Sequence, residues 1–346
     1  MKTVLCTLYN SLYLDKGLVL FDSLKECAKD FELYVLCMDE KCYDVLFDIG
    51  DERLKPIHLT DIENDSLLEA KAGRTSAEYC WTCTSRIVQY ILETLEPECC
   101  TYIDADMYFY HDPQILVNEM LMAGKSVMMV PHRFTEKNMH LAKKVGTYCV
   151  EFNCFKNDVA GRTVLDYWHK KCLECCSNLG DGVHWGDQKY MDEWIELFPD
   201  IVYPCTNNGA GIAPWNIELY ENYSDKEKSV LFKEKKETIP IYFYHFQSIK
   251  YLSKEIIDTS IKKGDPDIDY YMAKELYVPY LLKINTKKDL LLVKYGVNSL
   301  LQDHPSKRND NSYWNCLNPI HVMSRILEYF RKKDPFVICI KNENII

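Results

Sequence analysis

The chain has 346 residues, and its 47% hydrophobic share supports a full core and argues against disorder. Lysine and arginine number 41 against 52 acids, a formal charge of -11, which argues against a duplex nucleic acid partner because such binding rests on clustered positive charge. No apolar run approaches the roughly 20 residues that cross a bilayer. The opening Met1-Lys2-Thr3-Val4-Leu5-Cys6 reads as a first strand and not as a signal core, so the expected location is the cytoplasm.

In chain order, Thr3–Tyr9 reads as a strand, 17–29 as an amphipathic helix, 31–38 as a second strand and 56–59 as a short third. A helical region over 66–94 leads to a strand at 101–103; a helix over 113–123 and strands at 126–130 and 148–155 follow. A helix over 157–176, a loop at Gly180-Asp181-Gly182 and a short helix through Trp194 precede a glycine-rich loop at 207–216. A β-rich run at 241–246 carries His245, and beyond about Ser253 the pattern turns helical and basic. Strands alternating with helices predict an α/β fold with a mostly parallel sheet. The organisation expected is a catalytic domain over 1–250 and a helical extension over 251–346. The sixteen cysteines, two pairs with CxxC spacing included (Cys80/Cys83 and Cys172/Cys175), read as reduced thiols, with a structural zinc site the minor alternative.

The motif with the most chemical content is Asp104-Ala105-Asp106, at the end of an apolar strand. Side chains at i and i+2 of an extended segment point the same way, so both carboxylates leave the carboxyl end of a buried strand together. Open α/β sheets bind ligands there. Two hard oxygen donors suit a divalent cation that also holds phosphates, although acids at a strand end can equally serve as a cap or an ion-pair partner. His245, in the aromatic run Tyr242-Phe243-Tyr244-His245-Phe246, is either a core residue or a third ligand compatible with Mn²⁺. Asp187 and Gln188 follow Gly186 and read as a helix cap, or as a pair facing a sugar. Arg74, Arg86 and Lys250 are candidate phosphate neutralisers, and His132-Arg133 marks a loop rim or a surface turn. Trp215, with the adjacent Asn216, is the candidate saccharide platform.

The order of these motifs over residues 1–250 resembles the family 8-type glycosyltransferases of the GT-A (Rossmann-like) nucleotide-diphospho-sugar transferase fold. The likeness is nearer to bacterial lipopolysaccharide-type sugar transferases and more distant to glycogenin. The resemblance implies a retaining transferase that moves a sugar from a UDP-sugar to a saccharide or glycan acceptor with Mn²⁺ or Mg²⁺. It places Asp104, Asp106 and His245 on the metal, and Thr7, Asn10, Tyr13, Asp39, Arg86, Asp104, Ala105, Asn153 and Lys250 on the nucleotide sugar. Asp187 and Gln188 would face the donor sugar, while Trp215 and Asn216 would meet the acceptor. Three positions depart from the family pattern. Asn10-Ser11-Leu12 lacks an aspartate before Tyr13, Lys250 stands one place early after His245, and Cys149 occupies the position of a sugar-contacting asparagine, with Asn153 four residues on. The tail over 318–333 has the composition of an amphipathic helix that either packs on the catalytic domain or rests on a membrane surface. The rival readings are a haloacid-dehalogenase-like phosphatase and a non-catalytic carbohydrate-binding protein.

Overall fold

The computed structural model of the chain describes residues 2–177, 184–261, 265–302, 337–341 and 344–345. The loop Gly180-Asp181-Gly182 and the amphipathic stretch over 318–333 lie outside the described residues. The first half runs β1 (Thr3–Tyr9), α1 (Leu14–Cys27), β2 (Phe31–Cys37), α2 (Glu40–Ile49), β3 (Leu54–His58), α3 (Leu59–Ile62), α4 (Asp65–Ala72), α5 (Ser76–Thr94) and β4 (Cys99–Ile103). Next come β5 (Met107–Phe109), α6 (Gln114–Met122), β6 (Val127–Pro131), α7 (Met139–Val145), β7 (Tyr148–Lys156), α8 (Val159–Glu174), α9 (Trp194–Leu197) and β8 (Val202–Pro204).

A seven-stranded sheet has the order β3-β2-β1-β4-β7-β6-β8, and only β7 runs antiparallel to its neighbours. That is the mostly parallel α/β sheet anticipated from the sequence. Its central strands are apolar on both faces because helices cover both. On β1, Leu5 packs into the layer formed with α1, α2 and α6, whereas Cys6 packs into the layer formed with α5 and α8. The single helical region expected over 66–94 is two helices. Gly73 closes the first and Thr75 starts the second: its hydroxyl caps the Glu78 amide while the Glu78 carboxylate returns to the Thr75 amide, a reciprocal capping box.

The sequence past Trp215 folds differently from its reading. A meander, β9 (Tyr220–Ser224), β10 (Ser229–Phe232) and β11 (Glu237–Pro240), precedes β12 (Phe243–His245). The stretch after Ser253 is not purely helical: β13 (Lys250–Tyr251) pairs with β14 (Ile256–Asp258), which pairs in turn with β15 (Val337–Lys341), followed by β16 (Asn344–Ile345). Between β14 and β15 lies α10 (Tyr270–Tyr295), capped by Asp269 and ended by Gly296 at φ +66°. Leu276, Tyr277, Tyr280 and Leu281 of α10 join Tyr244 and Phe246 in a third apolar cluster. No described helix is long and apolar enough to cross a membrane.

Candidate active site

A cavity of about 1010 Å³ opens where β1 and β4 end. Asp104 and Asp106 stand in the turn between β4 and β5, so the two acids do leave the sheet at its carboxyl end. His245 reaches them through strand pairing: β12 runs antiparallel to β5 with His245 opposite Met107, and the Phe246 amide donates to the Asp106 carbonyl at 2.9 Å. This register brings His245 Nε2 to 3.0 Å from Asp106 Oδ1 and 3.7 Å from Asp104 Oδ2. The three donor atoms lie within 4.8 Å of one another, a nitrogen and two carboxylate oxygens facing one cavity, which fits a Mn²⁺ or Mg²⁺ ion.

The fourth member of this group is Glu151 on β7, fully buried, with Oε2 2.7 Å from His245 Nδ1. Burial opposes a charge on the His245 ring, but Asp106 and Glu151 outweigh it and raise its pKa well above the ordinary value. Burial pushes Asp104 up to about 6 against the pull of His245, while the same imidazole overcomes burial at Asp106 and lowers it. Gly211, at φ +84°, leaves the space Glu151 needs, since a Cβ there would sit 2.7 Å from Glu151 Oε1.

Asp187 is buried against the same cavity, and its Oδ2 has no hydrogen-bond partner among the described residues. Burial, opposed by the Thr84 hydroxyl and reinforced by Asp104, pushes its carboxyl up to about 7. Gln188 also lines the cavity, but both ends of its amide are engaged: Oε1 accepts from the Val150 amide at 3.3 Å and Nε2 donates to the Val145 carbonyl at 2.7 Å. Trp215 lines the cavity with its ring edge-on to His245 at 5.4 Å and its Nε1 donating to the His132 carbonyl. His132 and Arg133 turn out to be the scaffold of that wall. The His132 carbonyl also accepts from Asn216, and the Arg133 guanidinium donates to the carbonyls of Cys205, Asn207 and Ala210.

Asn10 and Tyr13 also line the cavity, as does Ala105 between the two acids in sequence. Behind this wall the buried Lys16 holds its ammonium 3.9 Å from the centre of the Tyr13 ring and donates to Gln302 Oε1 at 2.9 Å. Leu301 and Gln302, on a short 3-10 turn after α10, thereby complete the wall.

Seven expected residues do not line the cavity. Thr7 is buried within β1 with its hydroxyl unpartnered among the described residues. Asp39 caps α2 and accepts from the Ser11 amide and hydroxyl at 3.0 and 2.9 Å, which ties the end of β2 to the loop carrying Asn10 and Tyr13. Arg86 stands two positions beyond Thr84 on α5, about 200° around the helix. It therefore points away from the cavity and pairs with Glu93 at 2.9 Å. Asn153 donates to the Val150 carbonyl at 3.1 Å, within an irregular stretch of β7 where pairing with β6 shifts register. Lys250 alternates with Tyr251, whose hydroxyl is bonded to buried Asp15, so the lysine takes the other face. Asn216 spends its amide on three main-chain groups, those of Ala213, His132 and Gly211, at 2.8 to 2.9 Å. It organises the loop that holds Trp215. Arg74, likewise, donates to Thr82 and to the Leu173 carbonyl.

No family model matches the chain. YfnF of Bacillus subtilis (strain 168), an uncharacterized protein, is 31% identical over 269 residues, covering 75% of this chain and 87% of YfnF. The chain belongs to the same family as YfnF. Among solved structures, galactosyltransferase LgtC in complex with donor and acceptor sugar analogs covers 71% of this chain and 87% of that one, at 13% identity and a TM-score of 0.47. Mouse xyloside xylosyltransferase 1, apo form, covers 72% and 98%, at 13% identity and a TM-score of 0.47.

In this member of the YfnF family, the residues that sequence reasoning passed over are Glu151, Lys16 and Gln302. Glu151 left a trace: a lone acid inside the apolar strand Tyr148–Lys156 is costly to bury unless something pairs with it. Lys16 and Gln302 left none, because their contact spans 286 positions.

Proposed function

We propose that the chain is a metal-dependent retaining glycosyltransferase that moves a sugar from a UDP-sugar to a saccharide acceptor. The observation that carries this reading is the convergence of Asp104, Asp106 and His245 on one cavity that, among the described residues, no lysine or arginine lines. A diphosphate cannot be held beside the carboxylates of Asp104 and Asp106 without a compensating cation. Asp104, Asp106 and His245 would hold that ion. When bound, a divalent cation supplies positive charge against the diphosphate leaving group.

The chain's own residues do the rest. Asn10 and Tyr13 bound the nucleotide end, with Lys16 under the tyrosine ring. Asp187 Oδ2, buried and without a hydrogen-bond partner among the described residues, accepts a hydrogen bond from a hydroxyl of the donor sugar. Gln188, clamped between Val145 and Val150, fixes the position of Asp187, in contrast to the direct role expected for its amide. The wall that includes Trp215 excludes water from the reacting carbon. Retention follows from attack on the face from which the nucleotide departs: the bond from the sugar to the phosphate oxygen breaks, the bond to the acceptor oxygen forms, and the acceptor proton passes to the departing phosphate oxygen. The deciding assay follows UDP release from UDP-glucose and UDP-galactose with and without Mn²⁺. Mn²⁺-dependent UDP release supports the transferase; orthophosphate release from simple esters would favour a phosphatase instead.

A further inference from the structure

The cavity has two chemically different ends. Around Asn10, Ser248 and Gln302 it offers amides and a hydroxyl; beyond Asp187 it is walled by Trp81, Phe134, Leu141, Val145 and Trp185. The chain has six tryptophans. Trp168 and Trp194 are fully buried in the core, whereas Trp81, Trp185 and Trp215 are only partly buried, on the cavity wall. Indoles left half out of a core keep a face for something else to stack on. Gly186 permits this at Trp81: it crosses the indole at φ +55°, where an added Cβ would come within 3.3 Å of the ring.

The charges at this end select the occupant. Among the described lining residues the acidic groups are Asp104, Asp106 and Asp187, and the lining sets the His245 imidazole but no lysine or arginine against them. The ammonium of exposed Lys144 lies 4.5 Å from the centre of the Trp185 ring, on the solvent side of this wall and outside the lining. Once Asp187 is ionised, above its raised pKa of about 7, an anionic group about 5 Å away is opposed by about 3 kcal/mol at an effective dielectric of about 20. A metal ion does not relieve this, because the diphosphate already consumes its charge.

We propose that this end binds an uncharged sugar as the acceptor, stacked on the indoles of Trp81 and Trp185, and rejects phosphorylated and uronic sugars. The inference rests on the transferase reading and names the chemical class of its acceptor.

Saturation-transfer NMR on the full chain loaded with Mn²⁺ and UDP tests it, with lactose and cellobiose as neutral probes against glucuronic acid and glucose 6-phosphate. The neutral disaccharides are expected to bind at least ten-fold more tightly than the charged sugars. Trp81→Ala and Trp185→Ala should each weaken that binding about ten-fold, while Trp81→Phe and Trp185→Phe, which keep a ring, should lose much less. The comparison of neutral with charged probes needs no variant, so it stands whether or not the alanine variants fold. The proposal is overturned if a charged sugar binds as tightly as the neutral ones, or if no neutral probe binds while UDP does. It is also overturned if cooperatively melting alanine variants bind lactose as the parent does. Failure of UDP itself to bind with Mn²⁺ would instead sink the transferase reading beneath it.

Discussion

Glu151 holds the imidazole of His245 from behind, at 2.7 Å from Nδ1, so that Nε2 points at Asp106 and Asp104. A carboxylate on the far nitrogen of a ligating histidine fixes its tautomer and raises its basicity, and loss of such a partner costs about 10–100-fold in metal affinity. Glu151→Gln keeps an acceptor for Nδ1 but removes the charge. Mn²⁺ affinity by calorimetry should fall within that range, with a melting temperature near that of the parent. Unchanged affinity would show that Glu151 only fills space.

Chelation gives a direct check on the metal reading. EDTA should reduce UDP release to background and added Mn²⁺ should restore it. Asp106→Asn and His245→Ala should each lose more activity than the Glu151→Gln variant, since they remove donor atoms and not their support.

Asp187 makes stability depend on pH. Its carboxyl titrates near 7 in the folded chain, principally because of burial, and near 4 when unfolded. Between those values the folded state keeps a proton that the unfolded state has lost, so stability falls as pH rises through the interval and is level above it. Asp187→Asn removes that loss. Its melting temperature relative to the parent should climb from pH 4 to pH 7 and then plateau; a constant offset would contradict the assignment.

The loop that carries Trp215 is held by main-chain contacts that substitution should expose. Gly211→Ala forces a Cβ at φ +84° to within 2.7 Å of both Glu151 Oε1 and Val130 Cγ1. Strain of about 1–3 kcal/mol for the backbone alone is expected, beyond any displacement of Glu151. Denaturant melts should show that loss, with weaker Mn²⁺ binding in the same variant.

Arg86 offers the opposite case. Its pair with Glu93 is partly solvated and worth about 0–1 kcal/mol. Arg86→Ala should leave donor affinity unchanged, as measured by UDP titration with Mn²⁺. A large loss would mean that the guanidinium swings into the cavity when the nucleotide binds.

How much of this was readable in the residues depends on the range of the interaction. The strands up to 131 and the acid pair were legible because period-two alternation and i, i+2 spacing are local. The candidate partnership of Asp104 and Asp106 with His245 came from the likeness of motif order, and the β5–β12 register supplies its geometry. Arg86 was misplaced because a basic residue near a serine and a threonine says nothing of helical phase; two residues of turn carried it to the wrong face. For Asn216 the likeness of motifs implies an acceptor contact, and only the fold shows three main-chain groups claiming its amide. The meander at Tyr220–Pro240 escaped notice because its charged turns, such as Asp225–Lys228, interrupt any clean alternation.

The 3-10 turn at Ser299–Gln302 has a consequence for evolution and engineering alike. Because Gln302 is bonded to Lys16 and helps form the pocket beside Tyr13, the segment after α10 is coupled to the shape of that pocket. A chimera that kept every motif up to His245 but borrowed its tail from a relative would inherit a foreign pocket wall.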